Sequence, residues 1–145
     1  MAPNPGFEQG EPGDPPQISQ WRPYGWYQGM PADYAWQPNR GRQGGHAAMV
    51  GRGYIASLKA DVPTRQGSRY RVSVWYKTSG PRTRVQGDVG GVPLPFEPTD
   101  GAWRRAETTL TSPRNGLPIT LASYGQDKGE WTWFDDVEVR EICGK

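Results

Sequence analysis

From residue 69 to 78 the chain reads RYRVSVWYKT, and apolar and polar side chains alternate along it. Tyr70, Val72, Val74 and Tyr76 fall on one face; Arg71, Ser73, Trp75 and Lys77 fall on the other. That period of two predicts a strand half-buried against a core. TRVQGDVGG (83–91) repeats the pattern, with Val85 and Val89 inward and Arg84, Gln86 and Asp88 outward. HAAMVGRG (46–53), YIASLKADV (54–62), WRRAETTLTS (103–112), LPITLASYG (117–125) and WTWFDDVEVREI (131–142) predict further strands. TSG, TDG, PRNG and QDKG supply turns between them. No helical period persists for two turns. Residues 3–45 differ, being dominated by Pro, Gly and aromatics that keep neither period for long. Long loops are predicted there, with one or two short strands around Ile18 to Tyr27. With no repeat and no boundary, residues 1–145 make one domain. The pattern predicts an all-β fold: an antiparallel β-sandwich, a jelly roll of eight or more strands.

Composition sharpens this. The 20 Gly and 15 Pro leave only 34% apolar residues, yet 12% are aromatic. A disordered chain is poor in aromatics, so the low hydropathy reflects many turns around an aromatic core. The net charge of +2 comes from scattered residues rather than a basic tract, which argues against nucleic acid. No stretch approaches the ~18 apolar residues of a membrane span. MAPNPGFEQG has no apolar segment of the signal-peptide kind. Met1-Ala2 reads as an added start, and the chain as a domain cut from a longer one. The single Cys143 cannot form an intrachain disulfide and argues against a cysteine zinc site.

Two groups of residues carry candidate chemistry. The first is the acid pair Asp135 and Asp136 inside WTWFDDVEV (131–139), with NPGFE (4–8) at the other end. First and last strands of a sandwich are often neighbours, which would bring Glu8 near Asp135 or Asp136. Carboxylates joined by loop carbonyls, as from GRQGG (41–45), suit Ca²⁺, which takes six to eight oxygen ligands. The competing reading has one Asp facing solvent and the other capping a turn. The second group is the aromatic surplus of 7 Trp. Trp75 stands on the polar face of its strand, and an indole beside forked donors suits a pyranose ring. Trp75 with Arg71, Arg84, Gln86 and Asp88 is one candidate platform. The loop aromatics Trp26, Tyr27 and Trp36, with Trp21 and Tyr24, are a second. For each ring the competing role is a buried plug of the sandwich. His46 is the only histidine and has no nucleophile elbow beside it, and no P-loop, dinucleotide or HExxH motif occurs. These absences argue against an enzyme.

Taken in order, NPGFEQG, GRQGGHAAMV, YRVSVWYKTSG, WRRAETTLTSP and WTWFDDVEV resemble the carbohydrate-binding modules with a galactose-binding-like jelly roll, in particular the group of families 4, 9, 16 and 22. The resemblance runs from Asn4 to about Val139. It implies a non-catalytic, monomeric module that binds plant or algal polysaccharide and serves a linked, secreted glycoside-active enzyme. It also implies a structural Ca²⁺ held by Glu8, by Asp135 or Asp136, and by carbonyls near Gly6 and Gly44. Asp135 is favoured because its parity with the inward Val137 and Val139 aims it at the sandwich end. A β-bulge would transfer that parity to Asp136. The Pro- and aromatic-rich insert at 11–38 departs from the family pattern and leaves the ligand surface open.

Overall fold

The computed structural model describes residues 10–11, 17–18, 22–25, 33–37, 47–78, 84–97, 99 and 101–142. Among them ten strands form: β1 (Gly10–Glu11), β2 (Gln17–Ile18), β3 (Arg22–Gly25), β4 (Asp33–Gln37), β5 (Ala47–Val62), β6 (Arg69–Thr78), β7 (Arg84–Val89), β8 (Val92–Pro93), β9 (Arg104–Thr111) and β10 (Leu117–Glu141). β1 and β2 pair with each other; the other eight form one antiparallel ladder.

That ladder folds into two layers because its two longest strands pass through both. The C-terminal half of β5 and the N-terminal half of β10 pair over Leu117↔Val62 to Gln126↔Gly53, and β3, β7 and β8 extend this first layer. Beyond a register shift between Gln126 and Trp131 the same two strands pair again, and β4, β6 and β9 complete the second layer. Here the fold departs from the sequence expectation. The segments 46–53 and 54–62 are one strand, as are 117–125 and 131–142. The QDKG signal does not reverse the chain; its extra residues are absorbed in the irregularity at which β10 crosses between layers.

Alternation holds both layers to one core. Leu58, Ala60, Val62, Leu117, Ile119, Leu121 and Val89 point inward from the first layer. Tyr70, Val72, Val74, Tyr76, Phe134, Val137, Val139, Ala106 and Leu110 point inward from the second. Each fully buried large side chain contributes about 1.5–3 kcal/mol. Between the layers Ser123 and Thr132, both fully buried, share a 2.7 Å hydrogen bond along β10. Ser123→Ala should lower stability by about 0.5–1.5 kcal/mol by removing this hydrogen bond. A denaturant melt of the variant beside the original protein checks this.

Two connections shape the outer surfaces. β7 turns into β8 through Gly90-Gly91, with φ of +57° and +92°; two successive positive φ values are what a tight two-residue hairpin demands. The chain after β8 is pinned across the end of β6. The Thr99 hydroxyl accepts the Thr78 N–H (2.8 Å) and the Thr78 hydroxyl accepts the Thr99 N–H (3.0 Å), while the Tyr76 hydroxyl accepts the Glu97 N–H (2.9 Å). This fixes Phe96 edge-on to Tyr76 (4.8 Å between centroids) and to Phe134 (6.2 Å).

Candidate functional site

With the Val faces of β6 and β7 turned into one core, their polar faces look out on opposite sides of the sandwich. β6 pairs with β9 and the C-terminal half of β10; β7 pairs with β8 and the N-terminal half. The expected platform of Trp75, Arg71, Arg84, Gln86 and Asp88 is therefore divided. Trp75 and Arg71 lie on the outer face of the second layer. Gln86 and Asp88, with the backbone of Arg84, lie on that of the first. Sequence spacing could not reveal this, because adjacent strands in the chain need not be neighbours in a sheet.

The outer face of the first layer carries a groove of about 470 Å³. Its polar rim comes from three neighbouring strands: Lys59 on β5, Thr120 on β10, Gln86 and Asp88 on β7. Thr120 stands directly opposite both Lys59 and Asp88, so these three form one row across the face. In the next row Ala122 faces Gln86 and Ser57. Small residues, Ala122 and Gly87, keep the bottom low. Phe96 supplies an aromatic wall. β3 continues the face, with Arg22 paired to Lys59 and Tyr24 paired to Ser57. Such a groove admits an extended, hydroxyl-bearing ligand and offers it an ammonium, a carboxylate, an amide and a hydroxyl.

The outer face of the second layer is built differently. Lys77 pairs with Trp133, Trp103 just before β9 approaches the same lysine, and Arg105, Trp75 and Asp135 form the next row across β9, β6 and β10. The Lys77 ammonium lies 5.0 Å from the centroid of each flanking indole, within cation–π range. Glu107 accepts from Arg71 Nε at 2.9 Å and lies 3.5 Å from Arg105, and Arg105 also donates to the Ser73 hydroxyl at 3.4 Å. All three indoles are half-buried. The buried Trp133 Nε1–H has no hydrogen-bond partner, a cost of about 1–3 kcal/mol that an all-carbon ring would avoid.

The acid pair sits at the edge of this face, on a β-bulge. Asp135 pairs with Trp75 and Glu138 with Ser73, so Asp136 and Val137 together oppose Val74. Asp136 takes φ +47° to make the extra step. The bulge overturns the parity expected of Asp135. Phe134 and Val137 both point into the core, and Asp135 shares the side of Trp75 instead. Asp135 is nevertheless the buried member of the pair, 3% exposed, while Asp136 is half-exposed. Asp135 Oδ1 accepts the Asp136 N–H at 2.8 Å. Among the described residues no three acidic, His or Cys side chains converge.

Other expected site residues fall elsewhere. Glu8, Gly6, Gly44, Trp26 and Tyr27 lie outside the described residues. Trp36 is on β4, paired with Ala48 in the row of Phe134 and Tyr76. Lys59, Thr120, Ala122, Phe96, Lys77 and Arg105 carry no site signal in the sequence, and Trp103 and Trp133 carry only that of the tryptophan surplus. Their alternation is visible there, but the pairing that gathers them is not.

No family model and no curated protein matches the sequence. Solved structures do match. The CBM22-1 xylan-binding domain of Paenibacillus barcinonensis Xyn10C superposes with a TM-score of 0.70 at 13% identity, over 97% of this chain and 93% of that one. The CBM22-1–GH10 portion of Clostridium thermocellum xylanase 10B, complexed with xylohexaose, gives 0.67 at 18% identity, over 95% of this chain and 28% of that one. A cyclase from Fischerella sp. TAU gives 0.70 at 15% identity, over 100% and 97%. Carbohydrate-binding modules of families 16, 4 and 61 match as well. The chain thus has the jelly-roll sandwich fold of carbohydrate-binding modules.

Proposed function

We propose that the protein binds a polysaccharide chain, without transforming it, in the groove on the outer face of the first layer. The observation that carries this reading is the row Lys59, Thr120, Asp88 with Gln86 beside it: hydrogen-bonding groups from three strands, aligned above a low floor of small residues. The fold is shared with modules described as xylan-binding, which supports a plant or algal cell-wall glycan as the ligand class. On this reading the protein is a secreted, monomeric unit that holds a linked glycoside-active domain near its substrate by raising effective concentration.

The reading includes a structural Ca²⁺. Asp135 is the buried acid of the pair, 3% exposed, and a carboxylate so placed suits a hard cation, which takes oxygen ligands. Glu8 and the carbonyls of Gly6 and Gly44 would complete the ligand set, with Asp136, turned by the bulge, as the second choice. The ion would tie strand ends together and take no part in gripping the glycan.

Affinity electrophoresis and calorimetry against xylan, mixed-linkage glucan, galactan, glucomannan and alginate test the reading. At least one glycan should retard the protein. At the groove, Asp88→Ala should weaken binding about tenfold or more, since a hydrogen bond to a charged group contributes about 1.5–3 kcal/mol, and Gln86→Ala about two- to tenfold, its amide being neutral. Absence of binding to every glycan overturns it. Release of products during incubation would replace it with an enzyme, a role the fold also supports in the cyclase.

A further inference from the structure

We infer that the outer face of the second layer is a second glycan-binding surface, so that one molecule grips two polysaccharide chains on opposite sides of the sandwich. The inference takes only the class of ligand from the preceding reading; its residues are separate from the groove. Trp75 and Trp133 are on one sheet face, pointing away from the core; Trp103 lies against Lys77 of the same face, and none of the three is fully buried. Trp103 and Trp133 lie 5.0 Å from the same ammonium, so their rings are no more than twice that distance apart, a spacing that neighbouring rings of a sugar chain can cover.

What surrounds the indoles selects the ligand. A protein-docking face would join them into one apolar patch. Here the rings are interrupted: Lys77 stands between Trp103 and Trp133, and exposed Arg105 stands beside Trp75. Glu107 engages the Arg71 and Arg105 guanidinium groups, pre-orienting planar forks that can bind vicinal hydroxyls. Aromatic faces for C–H stacking, alternating with fixed polar donors, are the complement of a pyranose chain.

Two opposed faces make the module a cross-linker, and that property separates this inference from the groove. The probes are the same five glycans in soluble form. Protein mixed with a polymer it binds should raise turbidity through a maximum as their ratio varies. The Trp75→Ala/Trp103→Ala variant and the Gln86→Ala/Asp88→Ala variant should each retain binding but lose the turbidity, and combining them should abolish binding. Trp75→Phe/Trp103→Phe should restore cross-linking, and an unchanged near-ultraviolet dichroism of the core tyrosines certifies folding. If the indole variant binds and cross-links like the original protein, the inference is overturned and the groove stands. If the groove variant alone abolishes all binding, the inference also fails. If the indole variant alone abolishes it, the groove reading fails and the second face stands. Failure to bind any of the five glycans overturns both.

Discussion

Gly87→Ala should destabilise the protein by about 3 kcal/mol, the upper end of the usual range for overpacking. For a chain of this size that corresponds to a fall of roughly 6–12 °C in melting temperature. The reason is local. A Cβ on Gly87 would lie 2.4 Å from the carbonyl oxygen of Thr120 and 3.0 Å from Phe96 Cε2. The carbonyl belongs to β10, the strand paired on both sides throughout the first layer, and has nowhere to move. Phe96 is wedged edge-on against Tyr76 and Phe134, with its backbone held by the hydrogen bonds around Thr78 and Thr99. The substitution should therefore displace Phe96, the aromatic wall of the groove, and weaken glycan binding along with stability. A melt and a calorimetric titration check the two effects; an unaltered melting temperature contradicts the packing described here.

Asp135→Ala should cost about 3–5 kcal/mol, as expected when one partner of a buried charged arrangement is removed. Two further measurements assign the cause. With Ca²⁺ as the partner, a chelator lowers the melting temperature of the original protein, added Ca²⁺ restores it, and the Asp135→Ala variant responds to neither. A melt insensitive to chelator removes the ion from the picture and leaves a carboxylate compensated by protein groups. The neighbouring residue serves as a control. Asp136 occupies the left-handed region, which disfavours side chains by about 1–2 kcal/mol. Asp136→Gly should accordingly be neutral or stabilising if the residue acts only as the hinge of the bulge, and strongly destabilising if its carboxylate holds the ion.

The strands that alternate cleanly are legible in the sequence alone. β6 buries Tyr70, Val72, Val74 and Tyr76 and turns Arg71, Trp75 and Lys77 outward, as period-two alternation requires. Legibility stops where a residue's meaning depends on a distant strand. Nothing in RVQGDV or RYRVSVWYKT says that β7 and β6 belong to different layers, so spacing groups Gln86 and Trp75 on one platform. Nothing in WFDDVEV says where the register slips, because a bulge changes parity without changing composition. LPITLASYG and WTWFDDVEV have the look of two strands and form one, since continuity across QDKG is set by pairing with β5 rather than by local propensity. Lys59 and Thr120 each have the pattern of an ordinary outward residue. Only their placement in a row with Asp88 makes them part of a site.

β10 is the hydrogen-bonded centre of both layers, and it is the last described strand to leave the ribosome. β5, β6 and β7 cannot complete either sheet until residues 117–141 arrive. Until then their open edges face solvent, where unpaired strands invite intermolecular pairing. Folding should thus be cooperative and slow, in the millisecond-to-second range typical of non-local β topologies. Chains truncated before β10 should aggregate rather than yield half a sandwich.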